Sequence, residues 1–134
     1  MIENVKNRTI YIAAFLLYLG IFILSISVNV SISHDSIFYV LGAQNNEWLF
    51  HPHHLLYHVF TQLIVNTSQW AGISNDIPFL MSAASSLFGA LMMVYILKIF
   101  IELFDLKKSL ALAASGVIAF SYGVWYYSAC IEVY

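Results

Sequence analysis

Charge is scarce in this chain of 134 residues, of which only 9% are Asp, Glu, Lys or Arg. A soluble globular protein carries roughly a quarter of its residues as these four types. In contrast, 61% of the residues are hydrophobic and the mean hydropathy is +0.82. This composition excludes an ordinary soluble domain and predicts an integral membrane protein. The five basic residues form no cluster large enough to hold nucleic acid, so no nucleic-acid partner is expected.

Cysteine is nearly absent as well. Cys130 stands alone, so the chain can form neither an internal disulfide nor a CxxC metal site, and we interpret it as an apolar helix residue rather than a reactive thiol. The sequence also has no Gly-rich phosphate loop, no G-x-S-x-G elbow and no H-E-x-x-H pair. The chemistry that remains rests on acidic residues and histidines.

Three apolar stretches are long enough to cross a bilayer as helices, at about residues 9–30, 78–104 and 109–130. The first stretch follows an amino-terminal segment that carries Lys6 and Arg8, and signal peptides also begin with a basic segment. Its apolar core of about 20 residues exceeds the ~7 to 15 of a cleaved signal, so we favour a retained span. Asn75 or Asp76 is expected to cap the second span, with Pro78 in its first turn.

Residues 31–77 are predicted to form one external loop that carries two juxtamembrane helices. The first helix, at about 36–43, is too short to span the bilayer and is expected to lie on its surface, capped by Ser33 or Asp35. The second, at about 52–65, is apolar enough to enter the bilayer. Composition alone therefore leaves its position open.

The positive-inside rule decides between the two positions of the second helix. If it crossed the bilayer, Lys98, Lys107 and Lys108 would lie on the side of the membrane opposite Lys6 and Arg8. If it does not cross, all five basic residues lie on the cytoplasmic side. We therefore predict an all-α polytopic membrane protein with three transmembrane helices and two external juxtamembrane helices. Its amino terminus is expected on the cytoplasmic side of the cell membrane.

Small residues recur at helical spacing on two of the predicted spans. One set is Ala111, Ser115, Ala119 and Gly123, and the other is Ser82, Ser85, Ser86 and Gly89. Small side chains let helices approach closely. We interpret both faces as packing sites, with further helices of the same protein or of a membrane partner as expected neighbours.

The polar chemistry is concentrated in residues 34–58, which contain all five histidines and no Lys or Arg. His51, His54 and His58 share one helical face at spacings of three and four, as metal ligands or a phosphate-binding row would. The alternative is that these histidines bind no ligand and are merely solvated at the membrane interface. Asp35 could be a helix cap, whereas Glu132 closes an apolar span, where an ionisable group is a functional candidate. Both carboxylates fall on the same side of the membrane, which permits a paired site.

Several short motifs follow one another in a recognisable order: His34-Asp35-Ser36, His51-Pro52, Ser82-Ala83 to Gly89-Ala90, and Phe120-Ser121-x-x-x-Trp125 through Glu132-Val133-Tyr134. Together they resemble the amino-terminal part of a family C membrane glycosyltransferase, most similar to the protein O-mannosyltransferase-like proteins. Those enzymes transfer a sugar from a polyprenyl-phosphate donor to an acceptor on the outer side. The family often has a second acid after Asp-Ser and Pro-Gly after His-Pro, where this chain has Ile37-Phe38 and His53-His54.

The resemblance implies a role for each polar residue. Asp35 would be the general base that activates the acceptor hydroxyl, with Glu132 as a second acid. The donor phosphate would be bound by His51, His53, His54 and His58. Because three spans are few to enclose a lipid-linked sugar, the chain is expected to be an amino-terminal fragment that is inactive alone.

Two other functions remain open from the sequence. One is a small membrane subunit that binds a divalent metal or haem through His51, His54 and His58. The other is a non-catalytic membrane assembly factor.

Overall fold

The computed structural model describes residues 2–26, 34–45, 55–73 and 76–131, and for residues 2–6, 34–35 and 55–58 it describes the backbone alone. Within these ranges the chain forms helices and no strand, which confirms the all-α class. The helices are α1 (Ile2–Leu24), α2 (His34–Asn45), α3 (Leu55–Trp70), α4 (Ile77–Glu102), α5 (Lys108–Ala119) and α6 (Tyr122–Ala129).

Two of these helices are long and apolar enough to cross a membrane, α4 over its whole length and α1 from Asn7 to Leu24. A third span exists if α5 and α6 are taken together, although they are bent by 70° at the break between them. The chain is therefore a helical membrane protein with two to three candidate spans. The span predicted at 109–130 thus corresponds to two helices with a bend between them, and the prediction of three spans holds only if α5 and α6 form one span.

The break has a local cause at Ser121. Its hydroxyl donates to the Ile118 carbonyl oxygen at 2.7 Å, and its backbone N–H donates to the same oxygen at 3.0 Å. In an uninterrupted helix that carbonyl would accept from the N–H of Tyr122. Because the serine competes for the acceptor, the chain leaves α5 and starts α6 in a new direction.

Helix α4 is the centre of the fold, and α1, α2, α3, α5 and α6 all contact it. The Asp76 carboxylate caps its start by accepting from the Phe79 N–H at 3.1 Å, and Pro78 lies in its first turn, as predicted. The capping carboxylate satisfies one of the N–H groups that the first turn leaves free. The start of α4 is thus determined locally.

Helices α1 and α4 run antiparallel. The Tyr11 hydroxyl donates to Glu102 Oε1 at 3.0 Å, while Phe22 lies beside Gly89. We call the end where Tyr11 meets Glu102 the lower end, and the end where α4 begins the upper end. Helix α1 therefore ends beside the middle of α4 rather than at its start.

Two apolar cores lie one above the other along α4. The lower bundle joins α1, α5 and the second half of α4, with a core of Ala14, Tyr18, Phe22, Ala90, Met93, Leu97, Ile101, Ala111 and Ala119. The upper cluster joins α2, α3 and the first half of α4, with a core of Tyr39, Ala43, Val65, Ile77, Leu80, Met81 and Ile131. Helix α4 is apolar on the sides that other helices cover and also on the side that none covers, as expected of a helix that could cross a membrane.

Helix boundaries differ from the prediction at two places. Helix α1 ends at Leu24 rather than near residue 30, and the Ser25 hydroxyl donates to the Ile21 carbonyl at 2.7 Å in its last turn. Helix α3 continues to Trp70 rather than 65, and the Thr67 hydroxyl is satisfied inside the helix because it donates to the Leu63 carbonyl at 2.6 Å.

The small-residue faces are packed against helices of the same chain. Ala111, Ser115 and Ala119 are fully buried, and the Ser115 hydroxyl pairs with that of Tyr18 on α1 at 2.7 Å. The second face, which comprises Ser82, Ser85, Ser86 and Gly89, is buried as well. Gly123 is exposed because it lies beyond the break. Helices within the chain therefore occupy most of these faces.

Candidate functional site

The end of α6 meets the start of α2 through a buried hydrogen bond. The Ser36 hydroxyl donates to the Ile131 carbonyl oxygen at 2.7 Å, and both residues are almost completely shielded from solvent. Ser36 directly follows Asp35 in the sequence, and Ile131 directly precedes Glu132. The bond thus joins the two chain segments that carry the predicted carboxylates.

Helix α6 reaches this position by lying across the top of the lower bundle. The Trp125 indole N–H donates to the Ser25 hydroxyl at the end of α1 at 2.9 Å. Further along α6, the Ser86 hydroxyl of α4 donates to the Ser128 carbonyl at 2.8 Å. These two bonds hold α6 at the level where the lower bundle ends and the upper cluster begins.

The crossing of α6 and α4 depends on a glycine. A Cβ added at Gly89 would lie 2.6 Å from Ser128 Cβ and 3.3 Å from Phe22 Cε2. Carbon atoms do not approach to 2.6 Å without a bond, so any other residue would push α6 away from α4. The sequence predicted close packing at Gly89, and the structure identifies α6 as the helix that approaches it.

Buried polar side chains lie on the helices around the junction. Besides Ser36, the buried polar residues of α3, α4 and α6 are Thr61, Gln62, Ser68, Ser82, Ser85, Ser86 and Ser128. Hydroxyl and amide groups can position a polar ligand, but they do not exchange protons near neutral pH. Acid and base chemistry at this place would have to come from the neighbouring carboxylates or histidines.

The predicted site residues fall partly in the described chain. Asp35 lies in the first turn of α2 and not before it, so its predicted role as the residue preceding the helix is wrong; Ser33 lies outside the described residues. His58 lies in the first turn of α3. The residues outside the described part are His51, His53, His54 and Glu132. Among the described side chains, no three His, Cys, Asp or Glu residues come together as metal ligands.

A second set of polar side chains, Tyr11, Lys98 and Glu102, lies at the lower end. Glu102 accepts from the Tyr11 hydroxyl and also forms an ion pair with Lys98, whose Nζ is 3.8 Å from Glu102 Oε2. Both charged side chains are about half exposed, so this pair contributes little to stability. The contact matters more for architecture, because it joins Tyr11, in the first half of α1, to the last residue of α4.

Sequence reasoning did not find the role of Ser36 or the Tyr11–Glu102 contact. Ser36 stood in the Asp-Ser motif, but nothing in the sequence pointed to Ile131 as its acceptor. No family model, curated protein or solved structure matches this chain. The functional argument therefore rests on its own residues and their geometry.

Proposed function

We propose that this chain belongs to a membrane glycosyltransferase that transfers a sugar from a polyprenyl-phosphate donor to an acceptor on the extracytoplasmic side. The observation that carries the proposal is the buried Ser36–Ile131 hydrogen bond. It joins Ser36 of the Asp-Ser motif to Ile131, 95 residues away, and Ile131 directly precedes the Glu-Val-Tyr motif in the sequence. The resemblance to family C enzymes requires these two motifs to act in one site.

Each polar residue has a role in the proposed reaction. Asp35 accepts the proton of the acceptor hydroxyl as that oxygen attacks the sugar carbon, and Glu132 helps to shape the site. His51, His53, His54 and His58 donate hydrogen bonds to the phosphate that leaves with its polyprenyl chain. Ser36 contributes indirectly, because its bond to Ile131 keeps the two carboxylate-bearing segments together.

The distribution of basic residues supports the proposed orientation. The Tyr11–Glu102 contact brings Arg8, one turn before Tyr11, to the same lower end as Lys98, Lys107 and Lys108. Basic residues favour the cytoplasmic side of a membrane. We therefore assign the lower end to the cytoplasm. The upper cluster and the Ser36–Ile131 junction then face the extracytoplasmic side, where the acceptor is expected.

Sugar transfer by membranes that contain the complete protein tests the proposal. Asp35→Asn should lower the rate of transfer from a labelled polyprenyl-phosphate sugar by about a hundredfold to ten-thousandfold, because a general base contributes that much. The matched control is Asp76→Asn, since Asn caps a helix about as well as Asp and this residue lies outside the proposed site. That variant should transfer at nearly the normal rate.

A second variant tests the junction itself. Ser36→Ala removes the hydroxyl that bonds Ile131 but leaves both carboxylates, so we expect a smaller loss of rate, on the order of tenfold, from poorer positioning.

Near-normal transfer by Asp35→Asn would contradict the assignment of the base. If no variant and not even the unaltered protein supports transfer, the proposed function itself is wrong.

A further inference from the structure

The outer surface of the lower bundle carries a band of exposed apolar side chains. On α1 every exposed residue from Ile12 to Leu24 is apolar, and the same holds along the segment from Leu110 to Phe120 that contains most of α5. Exposed polar residues bound this apolar band at the lower end: Arg8, Thr9, Lys107 and Ser109. The candidate span of α1 has 18 residues and is about 27 Å long, close to the ~30 Å of hydrocarbon in a bilayer. The apolar band therefore has the composition and the extent of a lipid-facing surface.

Helix α6 exposes a different kind of side chain. Its eight residues include four aromatic side chains that each carry a hydrogen-bonding group: Tyr122, Trp125, Tyr126 and Tyr127. Tyr122 is 74% exposed, and Trp125 and Tyr127 are exposed as well. Tyr122 and Tyr126 stack with their ring centroids 5.5 Å apart, and Tyr127 packs edge-on against Tyr126 at 5.3 Å. The aromatic rings thus form one connected group on α6.

This aromatic group lies at the level where α1 ends. The Trp125 indole N–H donates to the hydroxyl of Ser25, which directly follows the last residue of α1. From that position the sequence becomes more polar, because every second residue is a serine or an asparagine: Ser25, Ser27, Asn29, Ser31 and Ser33. Since α5 and α6 are bent by 70°, α6 crosses the top of the apolar band rather than prolonging it.

The residue types on α6 fit a boundary between hydrocarbon and water. Tyrosine and tryptophan are enriched where the acyl chains of a bilayer meet its headgroups, because the ring is apolar and its polar tip is wet. Hydrocarbon alone would favour purely apolar side chains, as in the apolar band. Bulk water would favour charged side chains, and α6 has none.

We infer that α6 lies in the headgroup layer of the bilayer, on the side of the lower bundle that faces the upper end. The exposed rings of Tyr122, Trp125 and Tyr127 contact phospholipid headgroups, and the apolar band of α1 and α5 contacts acyl chains. The Ser36–Ile131 junction, which begins two residues after the end of α6, lies at the same boundary. The phosphate of a lipid-linked donor would also lie there, so the inference agrees with the proposed reaction without depending on it.

Fluorescence quenching in phosphatidylcholine nanodiscs tests this inference independently of any enzymatic activity. Single cysteines are introduced into a Cys130→Ala background as Tyr122→Cys or Tyr127→Cys and labelled with a fluorophore. The lipids carry a nitroxide quencher at the headgroup or near the chain end. Leu16→Cys, exposed at the middle of the candidate span of α1, is the deep control, and Ser109→Cys, exposed at the lower edge of the apolar band, is the shallow control.

We expect the labels at Tyr122, Tyr127 and Ser109 to be quenched more by the headgroup nitroxide than by the chain-end nitroxide, and the label at Leu16 to show the reverse order. Tyr127→Cys provides a result if the Tyr122 variant does not fold.

Three results would overturn the inference. Labels on α6 that behave like the one at Leu16 would place α6 in the hydrocarbon, as a continuation of the span that α5 begins. Labels quenched only by iodide in the water would place α6 outside the bilayer. Labels quenched by neither nitroxide nor by iodide would show that protein covers the aromatic group.

Discussion

Replacement of Gly89 by alanine should destabilise the protein even though alanine is the better helix former. The added Cβ would lie 2.6 Å from Ser128 Cβ, so α6 must move away from α4. Overpacking of this kind typically costs about 1–3 kcal/mol. The displacement also weakens the bond from the Ser86 hydroxyl to the Ser128 carbonyl, which is worth about 1 kcal/mol.

The gain in helix propensity acts in the opposite direction. Alanine is favoured over glycine inside a helix by about 1 kcal/mol. The losses from overpacking and from the weakened hydrogen bond exceed this gain, so Gly89→Ala should lower the free energy of unfolding by about 1–3 kcal/mol. Gly20→Ala provides the matched control, because a Cβ at Gly20 of α1 would have no atom within 4 Å. That variant should be as stable as the unaltered protein or slightly more stable.

Unfolding of the purified protein in mixed micelles by a denaturing detergent, followed by circular dichroism, would measure both variants. A third variant, Gly89→Ala with Ser128→Gly, removes the side chain that the new Cβ would meet and should recover part of the lost stability. If Gly89→Ala proved as stable as Gly20→Ala, the close crossing of α4 and α6 would be wrong.

Two further predictions concern the lower bundle and the topology. Tyr18→Phe should lower the free energy of unfolding by about 1 kcal/mol because it removes a buried hydrogen bond, whereas Tyr11→Phe, which removes an exposed one, should cost less in the same unfolding assay. Equal costs for the two would contradict the burial of Tyr18. A cysteine at Asn75 should react with an impermeant thiol reagent from outside the cell and one at Ser109 should not, since the lower end is assigned to the cytoplasm. Labelling of Ser109 but not Asn75 would reverse the orientation.

Features that depend on neighbouring residues could be predicted from the sequence. Hydropathy located α1 and α4, because about 20 apolar residues in one helix match the hydrocarbon thickness of a bilayer. The start of α4 was predicted for the same reason, since Asp76 and Pro78 act on the first turn alone. The small residues from Ser82 to Gly89 correctly indicated close packing, although not the helix that packs there.

Features of the candidate site depended on contacts between distant parts of the chain. The Ser121 hydroxyl breaks the last apolar stretch, and hydropathy does not register a single hydrogen bond to a backbone carbonyl. The position of α3 against α4 involves the contact of Phe60 with Phe88 on another helix. The resemblance implies that Asp35 and Glu132 act in one site, and no local pattern in the sequence gives a geometric reason for that prediction.

By itself, then, the sequence determined that the chain has helices apolar and long enough to span a membrane, where the longest of them lie and how α4 begins, because hydropathy and capping act within a few turns. Only the tertiary structure decided that α6 turns across the bundle to bring Ile131 to Ser36. That bond links positions 95 residues apart, and it forms because Gly89 lets α6 approach α4 closely enough. Such an approach depends on the shapes of two packed helices, which no local pattern in either one specifies.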